Sequence, residues 1–183
     1  MEQARRQVEH IAKINRWLNP ANTHDDQQSH LAGIMPDSCN WVVSEPMLTA
    51  LLSSSGSSTI IIQGLPGSGK TMVMSFLVDY MSTNVDSKVL FFFCKANEPE
   101  KHDALQVLRT LAWELLQLLP DFYDNLEPWY SESGRIILDS YSELQQMCQH
   151  YLRRCYRSTD PKIPKLIHII AFSLAADAHI HLH

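Results

Sequence analysis

Gly64-Leu65-Pro66-Gly67-Ser68-Gly69-Lys70-Thr71 is the stretch whose residue types and spacing could do chemistry. It fits G-x-x-x-x-G-K-[ST] at every required position. A triphosphate needs several donors aimed at its β and γ oxygens. Glycines let successive backbone N–H groups turn onto one concave face. Lys70 brings a positive charge to the β/γ phosphates, and Thr71 brings a hydroxyl to Mg²⁺. A helix starting at the end of the loop would point its positive end at the anion.

The flanking residues must hold such a loop in place. Thr59-Ile60-Ile61-Ile62-Gln63 precedes it and reads as a buried parallel strand. Thr71 to Met81 carries apolar residues at helical spacings without Gly or Pro. Strand, glycine loop and helix in that order is the setting the motif requires.

Charge and composition narrow the class. The chain has 183 residues, 45% hydrophobic and 19% charged, enough for one α/β domain with a real core. The net charge of −5 argues against a nucleic-acid-binding surface spread over the domain. No apolar run is long enough to span a membrane, and the first six residues lead into no signal-type core. A cytoplasmic location is the expectation. No two of Cys39, Cys94, Cys148 and Cys155 form a C-x-x-C pair, so buried thiols are expected rather than zinc.

Along the chain, Gln3 to Leu18 reads as an amphipathic helix, with Val8, Ile11, Ile14 or Asn15, and Leu18 on one side and Asn19-Pro20 as its stop. Residues 21–40 read as a polar linker, with Asp25-Asp26 solvated. Cys39 to Val43 is a short apolar element, and Ser44 reads as the cap of a helix from Glu45 to Leu52. Lys88 to Cys94 reads as a second buried strand. Asp103 to Leu119 has leucines at steps of three and four and reads as a helix packed on the sheet. Ser140 to Glu143 resembles a capping box ahead of a further helix. Leu166 to Phe172 reads as a third strand.

At these residues a family resemblance emerges. The chain resembles the NACHT-type P-loop NTPases, in particular the nephrocystin 3-like N-terminal domain of large fungal proteins. Ile14-Asn15-Arg16-Trp17-Leu18 before Asn19-Pro20 is similar to that family's opening. Cys39-Asn40-Trp41-Val42-Val43 resembles the segment upstream of its NTPase core. The Gly64–Thr71 loop has the family's form with Pro66. Val89-Leu90-Phe91-Phe92-Phe93-Cys94 and Leu108-Arg109-Thr110-Leu111 resemble its Phe-Phe-Cys strand and Leu-Arg helix.

The resemblance implies an α/β fold: a P-loop NTPase-type parallel sheet flanked by helices, incomplete at the C-terminus. Residues 1–40 would be an N-terminal helix and linker, 41–172 a partial NTPase domain, and 173–183 a tail. It implies ATP or GTP with Mg²⁺ as cofactor, nucleotide-binding residues 64–71, and Thr71 as metal contact.

Two departures stand out. Gln28-Ser29-His30-Leu31 replaces the usual arginines ahead of the Trp segment. The strand Leu166-Ile167-His168-Ile169-Ile170 is not followed by the Walker B acid. Asp177, seven residues past Ile170, is the first acid after it, and that sequence distance puts it outside a Mg²⁺ shell. Little or no hydrolysis is therefore expected. The chain reads as stopping where the second half of the NTPase would begin, which predicts low stability or association through an exposed sheet edge.

His179, His181 and His183 alternate, so in a strand they would share one face and could bind a metal; the reading adopted is a frayed tail. The tryptophans read as packing residues. No nucleophile–base constellation sets catalytic residues apart. Three functions remain: a nucleotide-binding switch module with self-association or protein partners, a small-molecule kinase, and an interaction fragment that does not bind nucleotide. Arg153, Arg154 and Arg157 could be recruited to a kinase lid, but no lid motif appears.

Overall fold

The computed structural model describes residues 2–53, 58–65, 67–95, 97–119, 122–123, 165–172 and 177–182. They fall into two units, one of Met1–Ala21 with Asp103–Arg154 and one of Asn22–His102 with Cys155–His183.

The first unit holds α1 (Glu2–Leu18) and, named in chain order below, α6 (Ala104–Leu118). α1 buries Ile14 and Leu18, while Val8 is 66% exposed, so the apolar side expected of it is narrower. The helix stops where Asn19 takes a left-handed φ of 46°, a conformation asparagine tolerates at helix ends. α6 begins as its sequence indicates: the Leu105 N–H donates to Asp103 Oδ1 at 3.0 Å. Its buried residues include Leu111, Ala112, Leu115 and Leu116. It packs with α1 within this unit. Two polar contacts lock the pair. Gln106 Nε2 donates to the Asn19 carbonyl at 2.6 Å, and the Ala21 N–H donates to Thr110 Oγ1 at 2.9 Å.

The second unit is α/β. α2 (His24–Ala32), α3 (Asn40–Val43), α4 (Pro46–Ser53) and α5 (Lys70–Asn84) accompany β1 (Ser58–Gln63), β2 (Ser87–Cys94), β3 (Lys165–Phe172) and β4 (Asp177–Leu182). β3 and β4 are described by backbone and register. The four strands form one sheet in the order β1-β4-β3-β2. β2 and β3 are parallel, and β4 is antiparallel to both β3 and β1. β1, β2 and β3 therefore share one direction.

The sheet departs from the expected one in two ways. It is mixed, not all parallel, and a strand from residues 177–182 separates β1 from the expected third strand, leaving β1 and β2 as its two edges. The residues read as a frayed tail supply the strand that fills the gap. Ala178, Ile180 and Leu182 alternate with His179 and His181, a period of two that a strand in mid-sheet can use. The expected third strand does lie beside β2, in register from Ser87 opposite Lys165 to Cys94 opposite Phe172.

α5 crosses from the end of β1 to the start of β2, as same-direction strands require. It buries Met74, Leu77, Val78 and Met81 against Phe91 and Phe93 of one sheet face, with Val42, Leu48 and Leu51 of α3 and α4 closing the cluster. Leu90 and Phe92, on the other face of β2, are also fully buried. Residues read as linker form α2, which lies beside α5. The Gln27 amide donates to the Ser75 carbonyl at 2.7 Å. His24 and His30 each meet an aromatic ring of β2 edge-on at 5.2 Å, Phe91 and Phe93 respectively. α2 shows no apolar stripe because its buried contacts are polar or aromatic, so periodicity could not find it.

Candidate functional site

The loop between β1 and α5 is fixed by its glycines and by Lys70. Gly67 and Gly69 have φ values of +79° and +87°. Gly69 is the cap residue of α5 in the left-handed region, which costs an L-residue about 1–2 kcal/mol. No atom lies within 4 Å of a Cβ added at Gly69, so backbone conformation and not space selects glycine there. At Gly64 an added Cβ would sit 2.7 Å from Ser68 Oγ, so the Ser68 side chain would have to rotate away. The Ser68 N–H donates to the Leu65 carbonyl at 3.1 Å and tightens the turn.

Lys70 opens α5 and reaches back over the loop. Its Nζ donates to the Gly64 carbonyl at 2.8 Å and the Leu65 carbonyl at 2.9 Å. An ammonium has three donors; two hold it at the loop mouth and one is left, among the described residues, for an anion. Thr71 follows in the first turn of α5, half-buried. The N–H groups of that turn have no intrahelical acceptors. The loop thus gathers a cation, a hydroxyl and helix N–H groups at one end of α5. Pro66 lies outside the described residues. Leu65 is 81% exposed.

No acid lies within β3, whose residues are Lys165 to Phe172. Register gives Asp177 a place that its distance along the chain does not suggest. β4 runs back along β3, so Asp177 returns to the C-terminal end of β1 and stands opposite Gln63. Seven residues along the chain become a return to the same end of the sheet. The sequence signal was the alternating run 177–182, which marks a strand and hence a reversal after β3.

A second cluster had no sequence forecast. Lys95 follows the end of β2, and its Nζ lies 2.6 Å from Asp26 Oδ1 and 3.0 Å from Glu98 Oε1. Lys101 Nζ lies 2.7 Å from Asp26 Oδ2 and 2.9 Å from Glu98 Oε2. The Lys101–Asp26 approach is an ion pair by distance, though its angle suits a hydrogen bond poorly. Asp26 is thus buried and paired, not solvated. The hydrogen bonds from Lys101 and Lys95 hold the Glu98 carboxyl below its usual range. Burial works against the charge of each lysine, and the contacts with Asp26 and Glu98 outweigh it, so both are raised. Burial pushes His30 down, with Asp26 opposing and both lysines assisting. The network closes on itself and ties α2 to the end of β2.

Other expectations are met in part. Cys39 is buried, Cys94 is half-buried, and both are free thiols. Burial pushes Cys94 up to about 11, which makes it an inert thiol at neutral pH. Cys148, Cys155, Trp129 and the arginines 153, 154 and 157 lie outside the described residues. Trp41 is 55% exposed, in contrast to the packing role expected. Among the described residues, no helix is long and apolar enough to cross a membrane.

Comparison with known proteins places this geometry. The family model described as Nephrocystin 3, N-terminal matches residues 37–169. The chain is 26% identical over 129 residues to the vegetative incompatibility protein HET-E-1 of Podospora anserina. That match covers 69% of this chain and 10% of the relative, so the chain spans about a tenth of that protein's length. No solved structure matches. With a family match running from before α3 to within β3, the chain belongs to the nephrocystin 3 N-terminal family and is a NACHT-type domain.

Proposed function

We propose that this domain is the purine-nucleotide-binding module of a NACHT-type signalling protein, taking ATP or GTP with Mg²⁺ at residues 64–71. The observation that carries the reading is Lys70, folded back onto the Gly64 and Leu65 carbonyls at the start of α5. That posture holds its charge over the loop where β and γ phosphates would lie. The first-turn N–H groups of α5 add donors and the helix dipole. The Thr71 hydroxyl suits Mg²⁺, and Asp177, opposite Gln63 in register, is the acid we assign to assist it. Magnesium, when bound, would neutralise charge on the β and γ oxygens.

The chemistry supported is binding, with turnover below about 1 s⁻¹, the low end of the kinase range. Hydrolysis needs an oriented water besides the metal, and β3 supplies no carboxylate for it. The proposal is tested by amide hydrogen exchange with and without Mg²⁺ and a non-hydrolysable triphosphate. Slower exchange is expected from residue 64 to the first turn of α5. Unchanged exchange there under saturating nucleotide would refute the assignment.

A further inference from the structure

His30 sits on α2 between the two points at which that helix touches α5. Before it, Gln27 Nε2 donates to the Ser75 carbonyl at 2.7 Å. After it, Gly33 closes α2, and a Cβ added there would lie 2.9 Å from Met72 Cε. Met72 follows Thr71 in the first turn of α5. α2 therefore braces the turn that ends the glycine loop. The His30 ring is pinned in this brace, edge-on to Phe93 at 5.2 Å. Its Nε2 is shielded from solvent and has no hydrogen-bond partner among the described residues.

Such a site holds a neutral imidazole and resists a charged one. A neutral ring can leave Nε2 as a bare acceptor, whereas the imidazolium carries N–H on both nitrogens. Nε2–H would then face no acceptor, and a buried charge without partners is costly. The groups around the ring do not relieve it. Asp26, on α2 itself, favours the charge, but its carboxylate is engaged by Lys95 and Lys101. Those two lysines, beyond the end of β2, oppose the charge, and Glu98 is shared between them. From α5 the contacts with α2 come from Ser75 and Met72, neither of them charged. Proton uptake is met most easily by moving α2 outward, so that Nε2 reaches water. That movement takes Gly33 off Met72 and Gln27 off Ser75.

We propose that His30 is a pH-sensitive latch on the nucleotide loop: the neutral ring keeps α2 seated against the first turn of α5, and the protonated ring lifts α2 and weakens nucleotide binding. The effect on affinity rests on the nucleotide reading of residues 64–71; the movement of α2 does not. By linkage, bound nucleotide resists protonation of His30 to the same extent.

The test compares the whole chain with His30→Gln between about pH 7.5 and about pH 5.5, either side of the ordinary histidine value. Without nucleotide, amide exchange of residues 24–32, allowing for its intrinsic pH dependence, should quicken in acid in the parent and not in His30→Gln. With Mg²⁺ and a non-hydrolysable triphosphate, parent affinity should fall on acidification by about tenfold more than that of the variant, a coupling of ordinary size between sites. The comparison removes the nucleotide's own phosphate titration. A third readout needs no variant: by imidazole NMR, His30 should titrate about one pH unit lower with nucleotide bound than without. Unquickened exchange of α2, an equal fall in affinity in the two proteins, or an unmoved His30 titration under saturating nucleotide would each overturn the latch. No nucleotide binding at either pH would refute the reading of residues 64–71 and with it the effect on affinity, while exchange of α2 would still decide the movement.

Discussion

Asp177 stands opposite Gln63 in the antiparallel pairing of β4 with β1, one residue from the glycine that opens the loop. Directly paired residues have Cα atoms about 4.5–5.5 Å apart. An acid seven residues past Ile170 in the chain is therefore returned to the end of β1 by a strand reversal. Magnesium should strengthen nucleotide binding in the parent, and Asp177→Asn should remove about 1.4 kcal/mol of that gain, a tenfold change. Nucleotide titrations with Mg²⁺ and with EDTA check this. An unchanged Mg²⁺ increment in Asp177→Asn would exclude the acid from the site.

Gly69→Ala forces a side chain into the left-handed region at φ +87°. Stability should fall by about 1–2 kcal/mol, and nucleotide affinity with it, because the start of α5 must shift. Urea unfolding measures the first effect, and a midpoint equal to the parent's would show that this residue is not held there.

Asp26 lies between two lysines, with 10% of its side chain exposed. Asp26→Ala should cost roughly 3 kcal/mol, since both lysines lose a partner in a mostly desolvated setting. Lys95→Met should cost less, because that lysine is the more exposed of the two. The order of the two unfolding midpoints is the check; equal midpoints would mean that the pairs act as surface pairs do.

The pH profile follows from the signs. His30 is lowered in the fold, so the unfolded chain takes up its proton first. Stability should fall as pH drops through about 6.5, the ordinary histidine value. Glu98 is also lowered, so its contribution is present above the ordinary glutamate range and lost as pH falls below it. Lys95 and Lys101 are raised, so their contribution holds to about pH 10.4 and is lost above it. Melting temperature against pH should show a plateau with a first acid step that His30→Gln removes. Persistence of that step in the variant would assign it elsewhere.

What could be read from the sequence was what local pattern dictates. The glycine loop, β1, α5, β2 and the Asp103 cap of α6 each carry a period or a capping residue, and each forms within a few residues of its expected bounds. α2 was missed because Asp26, Gln27, His24 and His30 are held by ion pairs, a backbone acceptor and ring edges, which leave no apolar stripe. β4 was missed although Ala178, Ile180 and Leu182 alternate with Asp177, His179 and His181, because the run reads as a frayed end. The place of Asp177 depends on strand pairing, and no spacing along the chain encodes which strands become neighbours.

The central claim is that residues 64–71 bind a nucleotide, and calorimetric titration of Mg·ATP and Mg·GTP into the parent and Lys70→Ala tests it most directly. One site per chain is expected in the parent, for at least one of the two nucleotides. Lys70→Ala should lose roughly 1.5–3 kcal/mol of binding free energy, the worth of a hydrogen bond to a charged group. Equal affinity in the two proteins, or no binding of either nucleotide to the parent, would contradict the account.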